Sequence, residues 1–600
     1  MHLDNINLLY IVVPSALILT IAYFTYGKLL SRLFQLNPQK KTPAYELQDG
    51  LDYEPLTPSA LFPQHFSAIA AAGPIVGPIL AGLAFGWLPA LIWILVGSIF
   101  IGGVHDFSSL VASIRHKARS IAEVVREHMS RRSYLLFLTF IWIALVYIIV
   151  AFTDITAAAF VGPPNEEAGG VGGGAIASSS LLYLVLPIIM GLLMRYAKMP
   201  LWLATVIFLP LVGLAIWVGK FIPLDVQTLV GFSADKVGEA NARKVWDVAL
   251  LLYCLVAGVV PVWMLLQPRG HLGGFFLYAA LGAGAIGLAL GGATTQYPAF
   301  RGFAVLQENG TTATLFPLLF IMVACGACSG FHSLIASGTT SKQLRVETDA
   351  RPIGYGAMLL EGMVAIVSLC CVMMFAFGAD ELKKGPNWIY AQGVGRFLEV
   401  VRIDRGFGIA FALMAFTTFV YDTLDVCTRL GRYILQELTG WRGNFGRWFA
   451  TGLTAGVPIF FLLRHPANAA DPVWKIFWNL FGASNQLLAA LTLLGVTIWV
   501  WRTRGVWWVW LVTGVPTAFM YVMSTWALIS MSIPGFSKMI AGYRSATTLN
   551  DGLAYLAEPV PWIGLVLTVL AALMLIEAIR ILLTLGSPPA PRLQPAAAAT

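Results

Sequence analysis

The sequence predicts an all-α polytopic membrane protein, with about 15 transmembrane helices built around two broken helices. The first observation is composition, because 58% of the 600 residues are hydrophobic and only 11% are charged, against about 25% charged in an average soluble domain. The second is a series of apolar stretches near the ~20 residues that cross a bilayer. The third is that Gly, Pro and polar residues interrupt two of those stretches. No single soluble core could bury this much apolar surface, so lipid must be the solvent.

Fifteen apolar stretches qualify as membrane spans. Their order fits the positive-inside rule, which places Lys and Arg in cytoplasmic loops, if the N-terminus lies outside and the C-terminus lies in the cytoplasm. Most of the 38 Lys and Arg residues then fall on the cytoplasmic side, and the most basic loop, 115–132, reads RHKARSIAEVVREHMSRR. The predicted spans are 8–34, 62–85, 88–114, 134–160, 178–197, 200–219, 246–267, 275–291, 312–335, 354–377, 406–428, 446–463, 476–500, 506–530 and 561–585.

The formal net charge of +8 does not indicate nucleic-acid binding, because the basic residues lie in short loops rather than on one polar face. The six cysteines form neither a disulfide framework nor a zinc-binding spacing. Cys325 and Cys328 lie inside an apolar span, where we interpret them as small packing residues rather than as a redox pair. The sequence therefore predicts no cofactor and no metal.

The second span, 62–85, contains the sequence GPIVGP. Pro74 and Pro78 each remove a backbone donor and clash with the preceding turn, while Gly73 and Gly77 loosen the backbone beside them. Freed backbone groups are tolerated at membrane depth only inside protein or beside a wet cavity. A packing notch or a kink usually explains one such residue, but four together predict a broken helix.

The ninth span is interrupted by small and polar residues in the segment CGACSGFHS, which would offer backbone and hydroxyl groups to a ligand. Because the second and ninth spans are seven apart, they enter the membrane from opposite sides. Paired interrupted helices in opposed orientation predict an inverted repeat with a binding site near the bilayer midplane. The predicted substrate-binding residues lie at the two breaks and are His65, Gly73, Pro74, Gly77, Pro78, Ser329, Gly330, His332 and Ser333.

Ionisable residues inside spans are the candidates for ion coupling, because each costs at least ~2.5 kcal/mol to insert and so needs a partner or a purpose. His65 precedes the first break, and Asp106 follows a Gly-Gly pair in FIGGVHDFSSL. A buried carboxylate or imidazole of this kind could carry a proton. The alternative is that His105 and Asp106 lie near the cytoplasmic end of their span and pair with Arg115 or Lys117.

Two further acids share one face of the eleventh span, because the i, i+3 spacing of Asp422 and Asp425 places them there. Arg429 is i+4 from Asp425, which favours a structural ion pair between those two. Asp422 is then the better coupling candidate, unless an arginine elsewhere neutralises it. Glu361 has no evident partner in its span. The predicted ion-coupling residues are therefore Asp106, Asp422, Asp425 and Glu361.

Several of these segments resemble the carbon starvation protein A (CstA) family of prokaryotic inner-membrane proteins. The resemblance implies a transporter related in fold to the amino acid–polyamine–organocation superfamily, with a five-plus-five, LeuT-like inverted-repeat core. It also implies uptake of peptides or of pyruvate when carbon is scarce, coupled to H⁺, with Na⁺ as the alternative ion. The resembling segments are HFSAIAAAGPIVGP (65–78), GGVHDFSSL with the basic loop after it (102–119), SGFHSLIASGTTSK (329–342), GYGAMLLEG (354–362), TLDVCTRLGRY (423–433) and LFGASNQLLAA (480–490).

Two other functional classes are weaker. A membrane-embedded hydrolase would use His65, His105, Asp106 and His332, but these residues lack local metal-ligand spacing and the chain has no HExxH. A carbon-status sensor would need a sizeable soluble output domain, and no loop is long enough to supply one. The predicted organisation is 1–61 (first transmembrane helix and cytoplasmic linker), 62–220 (first repeat), 221–311 (connecting helices), 312–500 (second repeat), 501–585 (peripheral helices) and 586–600 (disordered tail).

Overall fold

The computed structural model describes residues 5–50, 52–70, 72–162, 170–306, 312–441, 443–465, 472–546, 553, 555–556 and 558–584. The tail predicted at 586–600 lies outside the described residues. Helices dominate the structure. In chain order they are α1 (Leu9–Phe24), α2 (Tyr26–Leu33), α3 (Pro43–Glu46), α4 (Pro58–Ile69), α5 (Gly73–Phe85), α6 (Trp87–Gly97), α7 (Gly103–Arg115), α8 (Ile121–His128), α9 (Arg131–Ala159), α10 (Gly173–Tyr196), α11 (Leu201–Gly219), α12 (Val226–Val230), α13 (Lys236–Ala257), α14 (Leu266–Gly291), α15 (Leu315–Met322), α16 (Gly330–Gly338), α17 (Ala357–Met373), α18 (Pro386–Glu399), α19 (Arg405–Thr439), α20 (Asn444–Arg464), α21 (Val473–Arg504), α22 (Val515–Ser545) and α23 (Pro559–Thr584).

Shorter elements join these helices. A two-stranded antiparallel ribbon, β1 (Ala304–Leu306) and β2 (Thr312–Thr314), pairs Val305 with Ala313. Single turns of π-helix continue α6 into α7 and precede α17 and α22, and they span Ser98–Gly102, Arg351–Gly356 and Trp510–Gly514. Three 3₁₀ turns span Thr340–Lys342, Glu347–Asp349 and Asp380–Lys383.

Twelve helical segments of the described chain are long and apolar enough to cross a membrane, and the bent pair α4–α5 makes a thirteenth. The predicted count of fifteen is therefore not confirmed. The two remaining predictions, 246–267 and 312–335, correspond to α13 and to the pair α15–α16. The first half of α13 is rich in charged residues (KVGEANARKVWD), and α15 and α16 are separated by the non-helical residues 323–329.

The eighth span, predicted at 275–291, starts earlier than predicted, because α14 begins at Leu266. Its first turns contain polar and small residues that lower the apolar signal. Gly270 and Gly274 let α14 lie against α4, since a Cβ at Gly270 would come 3.0 Å from the Gln64 side chain and one at Gly274 would come 2.7 Å from Pro63. Small residues at a helix interface permit this close approach.

The first break lies slightly before the predicted one. Helix α4 ends at Ile69 and α5 begins at Gly73, the two are inclined by 42°, and the sequence GPIVGP starts the second half-helix. The bend therefore lies just before residues 73–78, and those residues are themselves helical. Pro74 occupies the first turn of α5, where the missing N–H has no helical partner in any case.

The two broken spans cross at their interruptions. A Cβ added at Gly73 would come 2.3 Å from Sγ of Cys325, and one added at Gly77 would come 2.3 Å from the carbonyl oxygen of Met322. From the other side, a Cβ at Gly326 would lie 3.7 Å from Pro74. The glycines therefore let two irregular backbones touch, and this crossing positions the candidate site.

Candidate functional site

Four buried ionisable side chains meet beside the crossing, and we call His105, Asp106, His332 and Glu361 the histidine–carboxylate cluster. Nδ1 of His105 lies 2.7 Å from Oδ1 of Asp106, and Nδ1 of His332 lies 2.7 Å from Oδ2 of the same residue. Nε2 of His332 faces Oε2 of Glu361 at 3.3 Å. All four side chains are fully buried, so the cluster joins α7, α16 and α17 without contact with solvent.

Local backbone features bring these helices together. A Cβ at Gly102, which precedes α7, would lie 2.4 Å from the carbonyl oxygen of Ala327 in the second break. The amide of Asn485 on α21 fixes the start of α16, because its oxygen accepts from the N–H of Phe331 at 2.8 Å and its NH₂ donates to Oγ of Ser329 at 2.9 Å. These bonds join α21 to the start of α16, the half-helix that carries His332.

Glu361 is incompletely satisfied. Among the described residues, neither of its carboxylate oxygens has a hydrogen bond, and Nε2 of His332 also lacks one. A buried ionised carboxylate without partners costs several kcal/mol, and a bound proton removes that cost. Glu361, His332 and Asp106 are thus buried titratable groups whose charges are only partly compensated by their described neighbours.

Three side chains in the same region are close enough together to be ligands of one cation. Sγ of Cys325, Nε2 of His332 and a carboxylate oxygen of Glu361 lie within 4.8 Å of one another. The sequence predicted no metal, and Cys325 also contacts Oγ of Ser329 at 3.6 Å. The packing interpretation of this cysteine is consistent with its contact with Gly73.

The alternative that Asp106 pairs with Arg115 is wrong. Nε of Arg115 instead bonds Oε1 of Glu347 at 2.8 Å, and its Nη2 donates to the carbonyl of Phe34 at 2.8 Å. Asp106 lies more than two turns before Arg115 on α7 and bonds the two histidines. His65, the other predicted proton carrier, bonds Oγ1 of Thr340 through Nδ1 at 2.8 Å.

A second buried group, which we call the arginine–aspartate cluster, consists of Arg269, Asp422, Asp425, Tyr253 and Ser67. Nε of Arg269 lies 2.8 Å from Oδ1 of Asp422, and its Nη1 contacts Oδ2 of Asp425. The hydroxyl of Tyr253 donates to Asp425 at 2.8 Å, and Ser67 donates to Asp422. This cluster ties α14 and α13 to α19 and α4.

The predicted ion pair between Asp425 and Arg429 is therefore wrong. Arg429 donates to the carbonyls of Ala257 and Val260, at 2.9 Å and 2.5 Å, and approaches Asp52 at 3.5 Å. Arg269 arrives from α14 and occupies the space beside Asp425. Arg269 lies outside the predicted span 275–291, although the small residues after it (GHLGG) could have indicated a closely packed helix.

A cavity of about 10 Å³ borders the arginine–aspartate cluster, lined by His65, Thr340, Gly270 and Asp422 among others. That volume is near the minimum that holds one water molecule. His65 and Asp422 thus line the same small cavity.

A larger cavity, of about 930 Å³, lies on the side of the basic loop 115–132. Leu334 and Ser337 of α16 line it, so it extends from the loops to the half-helix that carries His332. Charged side chains surround it, including Asp52, Arg119, Glu123, Arg126, Arg131, Lys342 and Glu437.

A fixed charge network lies at the wall of this cavity. The hydroxyl of Tyr433 donates to Oδ1 of Asp52 at 2.6 Å, and Nζ of Lys342 lies 4.2 Å from the Tyr433 ring centroid. Burial raises the pKa of Asp52, but Lys342, Arg429 and the Tyr433 hydrogen bond together hold it below its usual value. Asp52 is therefore a permanent anion at neutral pH.

The residues predicted to bind substrate at the two breaks lie at different places in the two half-helices. His332 and Ser333 lie in the first turn of α16, where Oγ of Ser333 contacts the carbonyl of Gly330 at 2.7 Å. Gly73 and Gly77 contact protein atoms directly, so the space in front of them is filled in this conformation. The start of α16 is likewise covered by Asn485.

Comparison with known proteins connects these features to a family. The chain is 31% identical over 553 residues to the peptide transporter CstA of Helicobacter pylori strain J99, covering 82% of this chain and 78% of the relative. It is 31% identical over 600 residues to the peptide transporter CstA of Escherichia coli K12, covering 89% and 82%. It is 29% identical over 631 residues to the pyruvate/proton symporter BtsT of the same organism, covering 90% and 85%.

Among solved structures, a mutant of the Eremococcus coleocola manganese transporter aligns with a TM-score of 0.43 and 15% identity, covering 89% of this chain and 99% of that chain. A likeness at that TM-score supports no functional argument. The sequence matches the family described as carbon starvation protein CstA over residues 7–380 and 376–527. With this match, the ordered motifs and the many apolar helices, the chain belongs to the CstA family of bacterial membrane transporters.

Proposed function

We propose that this protein is a proton-coupled symporter that takes up a small carboxylate such as pyruvate, or a peptide, across the prokaryotic inner membrane during carbon starvation. The observation that carries the proposal is the histidine–carboxylate cluster, a buried group of titratable side chains at the crossing of two broken helices. The names of the relatives agree with it, since one is called a pyruvate/proton symporter and others peptide transporters.

The coupling role belongs to Asp106, His332 and Glu361. Asp106 and Glu361 lie on opposite nitrogens of the His332 ring, so a proton added to one acid can pass along the imidazole to the other. Such a shift changes which helix holds the charge. Because α7 and α17 carry the acids and α16 carries the histidine, protonation alters the attraction between the half-helix and its neighbours.

The cavity of about 930 Å³ forms one end of the substrate pathway, through which the solute leaves the protein. We assign this cavity to the cytoplasmic side from the adjoining basic loop and the positive-inside rule, with the N-terminus outside. The wall cations attract a carboxylate, and Ser337 lies one and a half turns beyond His332 on the cavity wall. Opening of the crossing would bring the N–H groups at the starts of α5 and α16 within reach of the anion.

Reciprocal packing supports the inverted repeat. The half-helix α5 packs on α17, the long helix that follows the second break, and the half-helix α16 packs on α7, which follows the first. Each broken span therefore contacts the other repeat at the corresponding position. We propose that one set of helices rocks against the other around this crossing, and that α13 and the pair α15–α16 complete the fifteen spans.

Uptake into proteoliposomes tests the proposal. Labelled pyruvate and labelled dialanine are supplied with an imposed pH gradient, with a Na⁺ gradient or with neither. The proposal predicts accumulation of at least one solute when the outside is acidic, and collapse of that accumulation on addition of a protonophore. Accumulation driven by Na⁺ alone, or accumulation of neither solute under any gradient, would contradict it.

A further inference from the structure

A third group of potential ligands lies away from both buried clusters, where the chain turns from α7 into α8. Lys117 and Ala118 adopt left-handed backbone conformations, with φ of 60° and 50°, and this tight turn reverses the chain. As a result His128, the last residue of α8, lies beside His116, the residue that follows α7. Glu127 precedes His128 on the exposed side of α8.

The ring of His116 is held in one orientation. Its Nδ1 lies 2.6 Å from the carbonyl oxygen of Ala112, and because a carbonyl only accepts, Nδ1 carries the proton and Nε2 presents a lone pair. The ring of Trp499 packs against His116 with the centroids 5.4 Å apart. A ligating histidine in proteins commonly donates its other nitrogen to a backbone carbonyl in this manner.

The second imidazole completes a ligand pair. Nε2 of His128 lies 3.0 Å from Nε2 of His116, and Oε2 of Glu127 lies 3.9 Å from the same His116 nitrogen. When two nitrogens bind the same Zn²⁺ at about 2.0–2.1 Å, they lie roughly 3 Å apart if the N–Zn–N angle is near 90°. Arg502 fixes the backbone here by donating to the carbonyl of His128 at 2.5 Å.

The arginines near the two imidazoles do not occupy the space beside them. A recess of about 300 Å³ adjoins the imidazoles and is also lined by Arg115 and Arg504. Arg115 bonds Glu347, and Arg504 donates to the carbonyl of Leu33, so both guanidinium groups are directed to other partners. The carboxylate of Glu127 supplies a negative charge on the open side.

We propose that His116, His128 and Glu127 bind a divalent transition-metal ion such as Zn²⁺ at the cytoplasmic face. Two imidazoles and one carboxylate are ligands that suit such ions, with the remaining positions open to water. The ion would fasten α8 to the end of α7, the helix that carries Asp106. Because residues next to and within α8, such as Ser120 and Glu123, line the large cavity, the bound ion would restrain that wall and slow transport.

Metal binding to the full-length chain in nanodiscs, prepared without a histidine tag, tests the site. Calorimetric titration with ZnCl₂ should show one site of high affinity. His116→Ala and His128→Ala should each weaken binding at least about tenfold, as even loss of an outer-shell partner of a metal ligand does, and Glu127→Gln should weaken it less. His271→Gln is the matched control, since His271 bonds Thr205, and it should leave the affinity unchanged.

Cobalt distinguishes this site from the buried cysteine. Co²⁺ bound to nitrogen and oxygen ligands shows no thiolate charge-transfer band, whereas Co²⁺ at Cys325 would show one. Binding that survives both histidine substitutions, a thiolate band that disappears in Cys325→Ser, or a wild-type chain that does not bind Zn²⁺ would each overturn the proposal. The last result would leave a neutral hydrogen bond between the two imidazoles. Because these readouts require no transport, they succeed or fail independently of the proposed symport.

Discussion

Both buried clusters place carboxylates in a low-dielectric interior, which costs free energy. The two clusters offset that cost with different cations. In the arginine–aspartate cluster, Asp422 and Asp425 share Arg269, whose guanidinium stays charged at any physiological pH. In the histidine–carboxylate cluster, Asp106 and Glu361 share His332, whose charge depends on a proton. One group of charges is therefore permanent and the other is exchangeable.

This difference assigns different roles to acids that look alike in the sequence. A permanent ion pair suits a joint that holds α14 against α19 in every state of the transport cycle. An exchangeable group suits an element whose attraction must change during that cycle. On this comparison we propose Asp106 and Glu361 as the coupling residues and a structural role for Asp422 and Asp425, whose predicted part in ion coupling stays a prediction.

The largest expected effect comes from removing the permanent cation. Arg269→Met leaves two buried carboxylates without a counter-charge, and removing one partner of a buried ion pair costs about 3–5 kcal/mol. We expect a clear fall in the thermal unfolding temperature of the purified protein. Arg429→Met is the matched control, since Arg429 bonds backbone carbonyls and a partly exposed acid, and its effect should be smaller.

Rescue sharpens this prediction. Adding Asp422→Asn and Asp425→Asn to Arg269→Met removes the uncompensated charges, so it should restore much of the lost stability. If Arg269→Met unfolds at the wild-type temperature, the arginine–aspartate cluster is not the joint that we describe.

The next effect is on function rather than stability. Asp106→Asn should lower pH-driven uptake about a hundredfold, within the range for loss of a proton-transferring group, because the amide cannot take up the proton. Counterflow of labelled against unlabelled substrate, which needs no net proton movement, should persist. Asp154→Asn is the control, as that buried acid accepts from the Trp474 N–H at 2.8 Å. Wild-type pH-driven uptake by Asp106→Asn would remove this residue from the coupling role.

A matched pair of neutral substitutions compares the clusters directly. Asp425→Asn loses charge-assisted hydrogen bonding from Arg269 and should cost about 1.5–3 kcal/mol. Glu361→Gln removes a carboxylate that has no hydrogen bond among the described residues, so we expect its free energy of unfolding to stay level or rise. Chemical or thermal unfolding in one detergent gives both values. Equal destabilisation by the two substitutions would erase the distinction between the clusters.

The smallest expected effect is that of Tyr253→Phe. It removes one hydroxyl that donates to Asp425, which should cost about 1 kcal/mol of stability and leave pH-driven uptake intact. A large loss of uptake in this variant would indicate that the arginine–aspartate cluster takes part in coupling.

Much of the fold could be predicted because the relevant signals are local. Apolar length revealed most spans, and the clustered Gly and Pro residues revealed both interruptions. The first break nevertheless lies between Ile69 and Gly73, because Pro74 starts a half-helix rather than unwinding one. The start of α14 was missed since its close packing through Gly270 and Gly274 depends on α4, which is distant in sequence.

The site could be predicted only in part for a similar reason. His332, Asp106 and Glu361 were identified individually as costly residues in spans, but their contact joins three helices and no spacing encodes it. The i+4 rule gave Asp425 the wrong partner, because Arg269 lies 156 residues away. Local rules identified the ionisable residues, whereas tertiary packing decided how they pair.

Proton movement during uptake tests the central claim most directly. Proteoliposomes that contain a pH-sensitive dye are given pyruvate or dialanine outside, without an imposed gradient, and internal acidification is recorded together with substrate entry. We predict that the wild type and Tyr253→Phe acidify the interior on substrate addition, whereas Asp106→Asn and Glu361→Gln do not, although they still perform counterflow. Acidification that persists in Asp106→Asn and Glu361→Gln but disappears in Tyr253→Phe would contradict the account.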